Sequence, residues 1–388
     1  MKTIKTILVV VMVAGLLLAA CQPAAKPETG SIKIGNIQDL TGPTAAWGEG
    51  MTNGATLAME EINAKGGLLG GRKLELISYD FKGQVPESIN AYNRLATQDK
   101  AVAVLGSPNS AVHIALGPVT EQQSVPVVAD PMDERATTPG EGQLNKYIFL
   151  LSEPSASQQA RIIASYSLNK LNLKRVAVLY DQGNPYAVSL AAPFMDYYVR
   201  HGGVIVANEP FESGTKDFRT HLLKIMAEKP DAIHITNYLQ ENILIAQQMR
   251  ELGIDLPLIG NNSFFTPYAE QACPAANNSY FPNNVSYDDP KLVDFIANYR
   301  TRFGKDPVVH VFMGYDNMMM IAQAIERAGS TDPTAVMKEL EKTKDYEGLV
   351  GKITADPTTH RPLNLSMVVM KIDNCKYVPE EMNVLPEE

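Results

Sequence analysis

The residues best placed to do chemistry lie just after short hydrophobic strands. The run Ala101-Val102-Ala103-Val104-Leu105 leads into Gly106-Ser107-Pro108-Asn109-Ser110 and then Ala111-Val112-His113-Ile114-Ala115-Leu116, so Ser110 reads as the N-cap of a helix. Such a position offers a hydroxyl, free backbone amides and the positive helix end, a receptor suited to a carboxylate. Taken alone, a serine before a helix is simply a cap. Other strand ends carry Thr41-Gly42-Pro43 with Trp47, Asp130-Pro131-Met132-Asp133, Tyr180-Asp181 with Tyr186, Asn237-Tyr238 and Asn261-Asn262-Ser263. Trp47, the sole tryptophan, follows a Thr-Gly-Pro turn, where a loop aromatic either covers a ligand or packs beneath its own loop.

Signals of catalysis are missing from the sequence. It holds no Gly-x-Ser-x-Gly, His-Glu-x-x-His or Walker-type phosphate loop. His113, His201, His221, His234, His310 and His360 are scattered without metal-ligand spacing, so no metal is expected. Gly66-Gly67 and Gly70-Gly71 are loop punctuation, since a dinucleotide fingerprint would follow the first strand directly. A hydrolase built on Asp181 and His310 across a cleft would lack an activated nucleophile. The chemistry expected is binding without a cofactor, in a protein that is not an enzyme.

From Ile32 onward, β-branched strands alternate with amphipathic helices, the pattern of parallel sheets covered by helices on both faces. Strands are expected at Ile32–Ile37, Lys73–Asp80, Ala101–Leu105 and Val125–Val128, with helices through Met51–Ile62, Val85–Ala96 and from Ser110. The rhythm restarts near Pro154, with strands at Arg175–Tyr180, Gly203–Val206, Ala232–Ile235 and Leu258–Ile259. Helices are then expected around Pro290–Phe303 and Tyr315–Ala328, where Met318-Met319-Met320 reads as core filling. The fold class expected is α/β, with two Rossmann-like lobes.

The first residues, Met1-Lys2-Thr3-Ile4-Lys5, precede an apolar run from Ile7 to Leu18, about right for an export signal and short for a membrane span. Leu18-Ala19-Ala20-Cys21 resembles the lipobox of bacterial lipoproteins, which implies a signal peptide over 1–20, lipidation of Cys21, and an extracytoplasmic protein held to the membrane by its lipid alone. Residues 21–31, rich in Pro and Ala, read as a flexible tether. The 388 residues exceed what one core supports, favouring two domains. When Lys2 and Lys5 leave with the leader, 34 basic residues fall to 32 against 43 acidic ones, a formal charge of −11 that disfavours nucleic acid and anionic lipid. Cys273 and Cys375 form either one disulfide or two buried thiols.

Essentially all of Ile32–Tyr377 resembles the periplasmic binding proteins of the leucine/isoleucine/valine-binding type, which serve ATP-driven (ABC) importers. The resemblance rests on Leu40-Thr41-Gly42-Pro43, Ala58–Gly67, Gly70-Gly71-Arg72-Lys73-Leu74, Gly106 with Ser110, and Thr215-Lys216-Asp217-Phe218. It implies two lobes joined by three crossovers: 32–151 plus 283–362, and 152–282 plus 363–388. A final segment returning to the second lobe would bring Cys375 near Cys273. By the same resemblance Ser110 binds a ligand carboxylate, Trp47 is an aromatic lid, Tyr186 and Tyr238 are aromatics of the second lobe, and Pro131–Asp133 hold the ligand head group. Pro131 and Asp133 replace small residues and threonine, Asn262 replaces the acid that meets the ligand ammonium, and His310 replaces a phenylalanine. The implied partners are a small-molecule ligand, more polar than leucine, and the importer's permease subunits, with the protein itself a monomer. Asp133 or Asp181 would replace the missing acid, unless the ligand is an amide or organic acid without an ammonium. A sensory module reporting ligand to a partner receptor is the alternative reading.

Overall fold

The computed structural model describes residues 30–386, so Cys21 and the leader lie outside the described residues. The first lobe is built from β1 (Ile32–Gln38), α1 (Ala45–Ala64), β2 (Leu74–Asp80), α2 (Val85–Arg94), β3 (Ala103–Leu105), α3 (Ser110–Gln123), β4 (Val127–Ala129) and β5 (Ile148–Leu150). Its five strands run parallel in the order β2-β1-β3-β4-β5. The three strands β3, β4 and β5 are buried throughout, which explains their unbroken Ala, Val, Ile, Phe and Leu composition: helices cover both faces.

The chain then crosses into the second lobe. There it forms α4 (Ala156–Asn169), β6 (Arg175–Asp181), α5 (Pro185–Arg200), β7 (Val204–Phe211), α6 (Arg219–Ala227), β8 (Ala232–Ile235), α7 (Leu239–Glu251), β9 (Leu258–Ile259), α8 (Tyr268–Ala272) and β10 (Ser279–Asn283). It returns to supply α9 (Val293–Phe303), α10 (Val309–Ala328), α11 (Pro333–Leu340) and a small antiparallel pair, β11 (Tyr346–Glu347) and β12 (Lys352–Ile353). A last crossing adds β13 (Met367–Asp373) antiparallel to β10, and β14 (Lys376–Val384) antiparallel to β13. The second sheet has the order β14-β13-β10-β9-β8-β6-β7.

Helices α1 and α10 lie together with their backbones in contact. A Cβ at Gly54 would fall 2.0 Å from the Val311 carbonyl oxygen, and one at Gly314 would fall 2.2 Å from that of Met51, so neither position has room for a side chain. This packing fixes Trp47 and His310, one near the start of each helix, on the same side of the first lobe. Met318 and Met320 are fully buried, with Met319 packed partly against the same core. Cys273, just past α8, is bonded to Cys375 in the β13–β14 turn with their Cα atoms 5.8 Å apart, closing the last two strands onto the second lobe.

Three local expectations change. Helix α1 starts at Ala45, so Trp47 stands on its first turn instead of in a loop. Helix α10 starts at Val309 instead of Tyr315; Val309 to Gly314 are all buried, and a run without a polar face carries no helical period to read. The cap of α3 is Asn109, whose side chain accepts from the Val112 amide at 3.4 Å, and Ser110 is the first helical residue.

Candidate functional site

The carboxyl ends of both sheets and the starts of the helices that follow them converge between the lobes, where an open α/β sheet presents its loops and helix amides. On the first lobe, Ser110 begins α3 and its Oγ accepts from the Asp133 amide at 3.2 Å, leaving the hydroxyl hydrogen free to donate. The first amides of a helix have no acceptor within it, so this end favours an anion. Pro131 and Met132 are buried beside it. Trp47 stacks on His310 with ring centroids 5.1 Å apart and meets Tyr238 of the second lobe edge-on at 5.3 Å. Tyr238 in turn lies 5.2 Å from Tyr186. Aromatic pairs of this kind contribute about 0.5 to 1.5 kcal/mol each beyond their buried area. Met132 packs with Tyr186, Leu190 and Tyr238, so the lobes touch around the site.

On the second lobe, Tyr186 Oη donates to Asn261 Oδ1 at 2.7 Å and approaches Asn262 Oδ1 at 3.3 Å. Asn261 Oδ1 also accepts from the Ser263 amide at 2.9 Å, while its Nδ2 is buried without a hydrogen-bond partner. His310 Nδ1 is likewise buried and unpartnered; burial pushes this imidazole down to about 3, so it is neutral. A cleft of about 350 Å³ opens from the site between the lobes, with Asp39, Thr44 and Asn109 on one side and Asp181, Ser213 and Glu241 on the other.

The two acids weighed as ammonium partners are both occupied by neighbours. Asp133 is bridged by the Arg135 guanidinium, Nη2 to Oδ2 at 2.5 Å, and also accepts from the Arg135 amide at 2.9 Å. Asp181 Oδ1 accepts from the Gly183 amide at 2.8 Å, and the Ser213 hydroxyl lies 2.7 and 2.8 Å from its two oxygens.

The site contains one acid that motif reading passed over. Glu153 lies on the first crossover, between β5 and α4, and is 1% exposed. Its Oε1 accepts from Gln159 Nε2 at 3.0 Å and from Asn262 Nδ2. Beside it, Asp130 accepts from Ser152 Oγ and from Asn317 Nδ2, each at 2.7 Å, and burial pushes its carboxyl up to about 6. Burial first, and then the Asp130 charge, hold the Glu153 carboxyl well above the ordinary carboxylate range. The only sequence signal was an acid embedded in Phe149-Leu150-Leu151-Ser152-Glu153-Pro154, an otherwise apolar strand end.

The arrangement can enclose a small polar molecule, with an anion receptor at α3, an aromatic wall spanning both lobes, and amide and carboxylate groups at the crossover. Residues 31–376 match the family model described as periplasmic binding protein. A Leu/Ile/Val-binding protein of Rhizobium johnstonii is 31% identical over 360 residues, covering 92% of this chain and 94% of the relative. A leucine-binding protein from Thermotoga maritima is similar in structure, with a TM-score of 0.81, 29% identity, and coverage of 90% of this chain and 98% of that one. The branched-chain amino acid transporter substrate-binding protein from Streptococcus pneumoniae, solved with isoleucine, has a TM-score of 0.81 and 31% identity, covering 90% and 100% of the two chains.

Proposed function

The chain belongs to the periplasmic binding protein family, and on that premise we propose that it captures a small amino acid between its lobes for delivery to the permease of an ABC importer. The observation that carries the reading is the start of α3, where the Ser110 hydroxyl and the helix amides form a carboxylate receptor beside an aromatic wall contributed by both lobes. Binding would work by hinge closure: the ligand bridges the lobes and shifts the population toward the form that the permease recognises. No catalytic step is involved, and the working form is a monomer.

The proposed ligand is more polar than leucine. Neutral His310 stands against Trp47 with a free ring nitrogen, which favours a side chain able to hydrogen-bond over a purely aliphatic one. Leu18-Ala19-Ala20-Cys21 supports lipid attachment at Cys21 as the means of holding the protein beside its permease. Calorimetry or thermal shift against the common L-amino acids and small organic acids tests the reading. A polar amino acid should bind tightest, and leucine as the tightest ligand would refute the polarity argument.

A further inference from the structure

A buried carboxylate without a cation is expensive, because the attraction that normally offsets its lost hydration is missing. Glu153 is such a group. None of the ion pairs among the described residues includes it, and both of its hydrogen-bond donors, Gln159 Nε2 and Asn262 Nδ2, are neutral amides directed at Oε1. Among the described residues no donor is directed at Oε2. The Gln159 amide that donates to Glu153 carries an oxygen, Oε1, that is buried without a hydrogen-bond partner among the described residues. An ammonium has three N–H donors and no acceptor, so two unmet acceptors carried by neighbouring side chains are what it would require.

We infer that Glu153, on the crossover between the lobes, is the counter-charge for the ligand's ammonium, and that the ligand therefore carries both an ammonium and a carboxylate. The inference rests on the reading of the cleft as an amino-acid site and assigns the charge in it. The carboxylate end is received at α3, and the cationic end at the crossover. Asn262 keeps a supporting part in this arrangement, since it reaches from the second lobe to orient Glu153, which lies 109 residues earlier in the chain. The acid expected on a lobe wall has in effect moved to the hinge.

The same network has a purely structural interpretation, in which a protonated Glu153 only ties Gln159 to Asn262. The isosteric change Glu153→Gln separates the two. With the full chain, affinity is measured by calorimetry for the tightest-binding L-amino acid and for the 2-hydroxy acid with the same side chain, which keeps the carboxylate and replaces the ammonium by a hydroxyl. The unliganded melting temperature is recorded as a control for folding. The wild type should prefer the amino acid, and Glu153→Gln should lose roughly 10²- to 10³-fold in amino-acid affinity, the effect of removing one partner of a buried ion pair. Its affinity for the hydroxy acid should stay within about threefold of wild type. Glu153→Asp keeps the charge one methylene further away and should fall between the two, which supplies the test if the glutamine variant fails to fold. Amino-acid affinity preserved within about threefold in Glu153→Gln, or a loss in Glu153→Asp that is equal for the amino acid and the hydroxy acid, overturns the assignment of Glu153 while leaving the amino-acid reading intact. A wild type that binds the hydroxy acid and not the amino acid overturns both.

Discussion

The walls of the cleft and the hinge behind them treat charge in opposite ways. On the walls, Asp133 is answered by Arg135 two residues on, and Asp181 by the Gly183 amide of its own loop and by Ser213 from the loop after the neighbouring strand β7. At the hinge, Glu153 and Asp130 are buried among amides and hydroxyls, with no cation paired to either among the described residues, and burial raises each carboxyl. A wall with settled charges supplies shape and hydrogen bonds, and it can open to water without penalty. An unsettled buried charge at the hinge instead rewards the arrival of a cation, because the attraction is little screened away from water. The comparison teaches that the conspicuous acids at strand ends are the less informative ones.

Four substitutions sharpen or break this contrast, beyond the change at Glu153 itself. The largest effect is expected from Trp47→Ala, which removes the ring that joins His310 on one lobe to Tyr238 on the other; affinity should fall by about 2 to 4 kcal/mol, as for a central interface aromatic. Calorimetry that finds the variant unimpaired would mean the wall contributes no closing energy. Ser110→Ala should weaken binding by about 1 to 3 kcal/mol through the lost hydroxyl. An equal loss for amino acid and hydroxy acid would place its contact at the carboxylate, and unchanged affinity for both would put the carboxylate elsewhere.

His310→Phe should move the ligand preference toward aliphatic amino acids and also change the response to acid. The wild-type imidazole has its folded value lowered to about 3, so its contribution to stability is fully present above the unfolded value near 6.5 and is lost progressively as the pH falls from there through the folded value. Phenylalanine binds no proton in either state. Urea midpoints at pH 7 and pH 5 should therefore show the variant gaining on wild type by about 2 kcal/mol over that interval. A constant difference would mean that His310 takes up its proton in the folded protein as readily as in the unfolded chain. The smallest effect is expected from Asp181→Asn, because an asparagine oxygen can still accept from Gly183 and Ser213; amino-acid affinity should change by less than about threefold. A loss comparable to that of Glu153→Gln would erase the distinction between wall and hinge.

Much of the fold was legible because its strands and helices announce themselves locally. The β-branched runs of β1, β3, β6 and β8 and the punctuating glycines need no tertiary information. Cap positions are less secure: Asn109 and Ser110 are both good caps, and only the backbone decides between them. The closing pair β13 and β14 was harder to read, since β14 is an edge strand of mixed polarity, Lys376-Tyr377-Val378-Pro379-Glu380-Glu381, with no buried residue. Within the site, the wall residues were legible because they sit at strand ends, where ligands bind in such sheets. Glu153 was not, because an acid in an apolar strand end is its only mark and its partner Asn262 approaches only when the second lobe folds.

Trp47 has a practical consequence. It is the only tryptophan in the chain. The residue is 8% exposed and its ring touches one residue from each lobe. The unlabelled protein thus carries its own optical gauge: opening of the lobes would wet a single indole and strip it of Tyr238, shifting its ultraviolet emission to the red. The time course of that shift after rapid mixing would give the rate of capture directly, with no other emitter of its kind to subtract.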